Sequence, residues 1–100
     1  MKPLRYHPIA LKELKYTLRY YRSINRQLSA DFKAELDRIL DLVRLYPEMF
    51  AADDGGDARI AILRRFPYLV IYENLADEIF IIAISHQNRR PGYWKRRKPG

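Results

Sequence analysis

The chain has 100 residues, 48% of them apolar or aromatic, no cysteine, two histidines and a formal net charge of +7. This length holds one small domain, spanning 1–100, whose apolar content excludes a disordered class. The lack of cysteine excludes disulfides and thiolate zinc sites, so neither a metal nor another cofactor is expected. No apolar run approaches the roughly 20 residues that a membrane helix needs, and the opening Met1-Lys2-Pro3-Leu4-Arg5-Tyr6-His7-Pro8 has no signal-peptide core. The expectation is a cytoplasmic protein with no membrane partner.

Leu4-Arg5-Tyr6 alternates and reads as a short strand, with Pro8 placed to open a helix. Leu11, Leu14, Leu18 and Tyr21 recur at helical spacing and define one apolar face. Beside it runs a basic stripe of Lys12, Lys15, Arg19, Arg22 and Arg26. That stripe is either a solvated face whose long side chains lie along the apolar edge, or a docking strip for an acidic partner. His7, beside Pro8, has no neighbours that suggest a ligand role. Ser23-Ile24-Asn25 reads as a break, with Ser29 as the N-cap of a second helix and Asp31 in its first turn. Leu28, Phe32, Leu36, Ile39, Val43 and Tyr46 follow at helical spacing until Pro47, which completes a helical hairpin.

Asp53-Asp54-Gly55-Gly56-Asp57 holds three acids but lacks the spacing and the late Glu of a calcium loop, so it reads as a polar turn. Residues 59–65, 68–72 and 79–85 are short, β-branched and aromatic runs with short connections, which predicts antiparallel strands. The central runs are apolar on both faces. One face takes the helical hairpin, and the other needs cover. Leu69, in the middle run, is expected to be a packing residue. The architecture is α+β: a short N-terminal strand and a helical hairpin packed on a small twisted antiparallel sheet.

The chain closes on a basic segment, 86–100, which carries Arg89, Arg90, Lys95, Arg96, Arg97 and Lys98 and no acid, so the rest of the chain is close to neutral. A polyanion or an acidic protein segment suits it. His86, at the end of a buried strand, is either a hydrogen-bonded structural group or a catalyst. Tyr93 and Trp94 either fold back over the open sheet face or meet a partner. The segment is expected to be needed for function and dispensable for folding.

The ordered set of pieces resembles the ParE branch of the RelE/ParE superfamily, the toxins of bacterial type II toxin–antitoxin and plasmid-stabilisation systems. The pieces are Ala10 with Leu14, the Tyr20-Tyr21 pair, Leu28-Ser29-Ala30-Asp31-Phe32, Tyr46-Pro47 and Phe66-Pro67-Tyr68-Leu69-Val70-Ile71-Tyr72. His86, Arg89, Pro91, Tyr93-Trp94 and Arg97 match the family's ending, H-x-x-R-x-P-x-Y-W-x-x-R. The resemblance implies a RelE/ParE-like fold and a cognate antitoxin whose acidic, partly disordered segment wraps the toxin. Lys12, Lys15, Arg19 and Arg22 would receive that segment.

The resemblance also implies a target. A ParE-like toxin inhibits DNA gyrase without breaking a bond itself, and Arg89, Arg90, Tyr93, Trp94, Arg96 and Arg97 would form the contact. A RelE-like toxin is a ribosome-dependent mRNA endonuclease that needs no metal. His86 would then be the base or acid, Arg89, Arg90, Arg64 and Arg65 would clamp phosphate, and Tyr93 would stack a base or donate a proton. RelE-type nucleases resemble one another in an arginine on the middle strand, where this chain has Leu69 and no cation. That departure favours gyrase. A third class, a non-toxic nucleic-acid-binding module, fits the tail's charge, but no groove-reading motif is present.

Overall fold

A computed structural model describes the whole chain, Met1–Gly100. Strand β1 (Leu4–Tyr6) leads into helices α1 (Pro8–Ile24) and α2 (Arg26–Leu45), followed by β2 (Ala51–Ala52), β3 (Ala58–Ile62), β4 (Tyr68–Asn74) and β5 (Ile79–His86). They form one five-stranded sheet in the order β1-β5-β4-β3-β2 with the helical hairpin on one face. Strands β3, β4 and β5 make the expected antiparallel meander. Strand β1 instead pairs parallel with β5, Leu4 opposite Ile79, so the sheet is mixed. Two parallel neighbours need a long crossover, and here the crossover contains both helices and the first hairpins. The two-alanine strand β2 carries no pattern that a sequence could betray. No helix is long and apolar enough to cross a membrane.

The helices start where local chemistry satisfies their free N–H groups. Pro8 opens α1, and His7 Nδ1 accepts from the Ile9 N–H at 3.1 Å. The break between helices is a single residue. Asn25, in extended backbone, donates its N–H to Tyr21 O and accepts from the Leu28 N–H at 2.7 Å. It therefore ends α1 and caps α2, the role expected of Ser29. Ser29 lies buried within α2, where its hydroxyl donates to Leu18 O at 3.0 Å and ties the two helices. Along α1 the buried stripe is Ala10, Leu14, Thr17 and Tyr21, while Leu11 is 38% exposed. Small residues at positions 10 and 17 let α1 approach the sheet, which rotates the leucine outward.

The main core lies between the hairpin and the sheet. Phe32, Leu36, Val43, Val70, Tyr72, Ile79 and Ile81 are almost wholly shielded there. Tyr21, Phe32, Phe66 and Tyr68 form an aromatic cluster with centroids 5.1–6.2 Å apart, mostly edge to face. A bulge explains the apolar run of β5. The pairing steps from Ile71 with Ala83 to Tyr72 with Ile81 and skips Ile82. The extra residue reverses the alternation, so Ile79, Ile81 and Ile84 meet the helices while Phe80, Ile82 and Ala83 face the other way. Leu69 points to that second face, half-buried and outside both apolar clusters, near the 60% exposed Ile62. The packing residues of its strand are Tyr68, Val70, Ile71 and Tyr72.

Candidate functional site

The segment after β5 is a series of turns held by its own backbone. Arg89 N–H donates to His86 O, Tyr93 N–H to Arg90 O, Lys95 N–H to Gly92 O and Arg97 N–H to Trp94 O. Gly92 has φ +76, in the left-handed region that side chains with a Cβ rarely adopt, so the reversal favours glycine. The reversal delivers Trp94 under the second face of the sheet. Trp94 is 7% exposed and packs with Ala58, Ile71, Phe80, Ile82 and Ala83. Of the two roles open to Trp94, the structure shows it folded back over the open sheet face.

Tyr93 and Arg97 turn towards α1 and meet on Glu13. The Tyr93 hydroxyl donates to Glu13 Oε2 at 2.7 Å, and Arg97 donates from Nη1 to Oε1 at 2.9 Å and from Nη2 to Oε2 at 3.1 Å. Glu13 also accepts the Ile84 N–H at 3.1 Å, and Arg97 Nη1 donates to Ile82 O. Burial, with the hydrogen bond to Glu13, pushes the Tyr93 phenol above its ordinary pKa. The Arg89 guanidinium stacks 3.9 Å from the centroid of the Tyr93 ring. Arg89, Arg90 and Arg96 are exposed, and none of them is in an ion pair.

A groove of about 590 Å³ opens between α1 and the ends of β4 and β5. Its walls are aromatic, with Tyr16, Tyr20 and Tyr68, and Lys12, His86 and Arg89 add basic groups. His86 is held in place: its Nδ1 accepts the Asn88 N–H at 3.0 Å, and its ring meets Tyr68 edge-on with centroids 5.1 Å apart. Lys12, Lys15, Arg19 and Arg22 are exposed along α1 with no carboxylate paired to any of them, and together they line a shallow depression beside Tyr16.

The structure thus gathers His86 and Arg89 at the groove and displays Arg90 and Arg96 beyond it. Trp94 and Arg97 are turned inward. Arg64 and Arg65 lie elsewhere: their N–H groups donate to the Glu35 carboxylate, and the Arg65 side chain pairs with Asp31 at 3.0 Å. No group of three or more acidic or histidine side chains is placed to hold a metal ion. Sequence reasoning missed Glu13. A signal existed, since Glu13 is the only acid before Asp31 and sits on an otherwise basic helix.

A family model described as the ParE toxin of type II toxin–antitoxin systems, parDE, matches residues 4–91. Among solved structures, a chain described as the chromosomal ParDE TA system from P. aeruginosa is similar in fold. Its TM-score is 0.73 at 17% identity, covering 86% of this chain and 96% of that one. No curated protein matches the sequence significantly.

Proposed function

The chain belongs to the ParE toxin family of type II toxin–antitoxin systems, and from that premise we propose that it inhibits DNA gyrase through the cationic surface of its C-terminal segment. The observation that carries this reading is the display of Arg89, Arg90 and Arg96, exposed and unpaired, on a segment that is itself ordered by Trp94 packing and by Glu13. Unpaired arginines on an ordered support suit an acidic protein surface or the DNA that gyrase holds. Trp94 and Arg97 serve this contact from within, by fixing the support, and Tyr93 serves it through its stacked Arg89.

The nuclease reading has weaker support. The Tyr93 hydroxyl and the Arg97 guanidinium are both committed to Glu13, and β4 offers no cation in the groove. The cognate antitoxin lays an acidic segment along Lys12, Lys15, Arg19 and Arg22, with the exposed rings of Tyr16 and Tyr20 taking its apolar side chains. Action on gyrase places the protein in the cytoplasm.

The test is a supercoiling assay with purified gyrase beside a ribosome-dependent mRNA cleavage assay. Inhibited supercoiling with accumulated cleaved DNA is the expected result, and cleavage of mRNA alone would overturn it. Replacing Arg89, Arg90 and Arg96 together by alanine should weaken inhibition by at least about tenfold while leaving the unfolding midpoint in place.

A further inference from the structure

One carboxylate joins three parts of the molecule. Glu13 stands on α1, accepts a backbone N–H from β5, and receives Tyr93 and Arg97 from the C-terminal segment. The side chains of Arg97 and Glu13 are 10% and 14% exposed. A two-point guanidinium–carboxylate contact shielded from water fixes orientation as well as distance. The Ile84 N–H lies beyond the reach of β1, whose pairing with β5 stops at Tyr6 opposite Ile81. Glu13 therefore supplies the acceptor that a longer strand would have supplied.

Few other polar contacts fasten the segment to the body. Gln87 N–H donates to Pro67 O at its start, Arg97 Nη1 to Ile82 O, and Arg5 Nη2 donates to Pro99 O near its end. The remaining attachment is the apolar contact of Trp94 and its neighbours.

We propose that Glu13 is the positioning residue of the target-contacting surface. Holding Arg97 and Tyr93, it keeps Trp94 docked beneath the sheet and presents the exposed arginines in one arrangement. The route to Arg89 is short: Glu13 fixes the Tyr93 ring at its hydroxyl, and Arg89 stacks on that ring at 3.9 Å. An undocked segment of this charge would have to be ordered at the moment of contact, and binding would weaken accordingly. This inference rests on the reading of the segment as the gyrase contact.

The test uses the full chain and its only tryptophan. Trp94 lies in the segment itself, so its emission and its quenching by acrylamide report docking without reference to any target. Glu13→Gln keeps the shape and removes the charge, and Arg97→Met removes the partner. Each should raise quenching of Trp94 about threefold or more and shift its emission to the red, with the far-UV CD spectrum retained. Each should also weaken gyrase inhibition by about tenfold or more. The two changes together should do no more harm than the worse single one, as for groups acting as a unit and unlike two independent losses of stability. Should Glu13→Gln lose its folded spectrum, Arg97→Lys, which keeps the charge and gives up the two-point contact, takes its place.

A Trp94 that stays shielded in the variants overturns the proposal. So does a loosened Trp94 with undiminished gyrase inhibition, which leaves the gyrase reading itself standing. A native protein that does not inhibit gyrase removes the target from the proposal, and the quenching result then decides by itself whether Glu13 holds the segment.

Discussion

The sheet is covered on both faces, by unlike means. On one side two helices bury a cluster of 17 residues, and on the other a run of turns buries a cluster of 6. The helical side spreads its apolar contact over many large side chains, so its stability is distributed. The other side concentrates its cover in Trp94 and its polar attachment in Glu13. The lesson is a division of labour: one layer holds the fold, and the thinner layer carries the unpaired arginines.

The largest effect should come from the thick layer. Phe32 is fully shielded and packs against Tyr21, Phe66 and Tyr68. Phe32→Ala should cost about 3–5 kcal/mol in urea unfolding, much of the stability of so small a domain. Trp94→Ala should cost less, about 2–3 kcal/mol, because a segment of turns can settle onto the vacated face. Equal losses for the two would break the comparison.

Tyr72 sharpens it. Its hydroxyl donates to Pro47 O at 2.6 Å, and burial pushes its pKa up to about 12. The folded state thus favours the neutral phenol over the ordinary value of about 10, so the stability it contributes is complete below pH about 10 and is lost as pH rises through about 12. Phenolate absorbance should show Tyr72 ionising late and together with unfolding, a phase that Tyr72→Phe removes. Tyr72→Phe should soften this alkaline dependence and cost about 1 kcal/mol at neutral pH. The smallest effect belongs to Leu69→Ala, about 0.5–1 kcal/mol, since Leu69 is half-buried outside both clusters. A loss as large as that of Phe32→Ala would restore it to the core.

Periodicity made the helical hairpin and the three-stranded meander legible, because both repeat over several turns or pairs. The turn between the helices was legible as a break but not in its chemistry, since Asn25 and Ser29 are both good caps and only packing shows that Ser29 is buried. The bulge at Ile82 left no trace, because every residue of the run Ile79-Phe80-Ile81-Ile82-Ala83-Ile84 is apolar and no alternation existed to be broken. In the candidate site, the cationic residues were legible as composition. Their sorting into displayed and inward-turned was not. Arg96 and Arg97 are neighbours of one type, and only the Gly92 reversal and the distant Glu13 decide that the second turns inward. A lone acid on a basic helix was the available clue.

The parallel pairing of β1 with β5 also bears on synthesis. The helical hairpin can form as soon as it leaves the ribosome, because its contacts are local. The first strand has to wait: its partner begins at Ile79, and the last fastening to it, from Arg5 to Pro99 O, lies at the far end of the chain. The arginine surface is therefore assembled only after β5 and the turns that follow it have been made. Until β5 is made, β1 has no partner to pair with and the turns that follow have no sheet face to pack against.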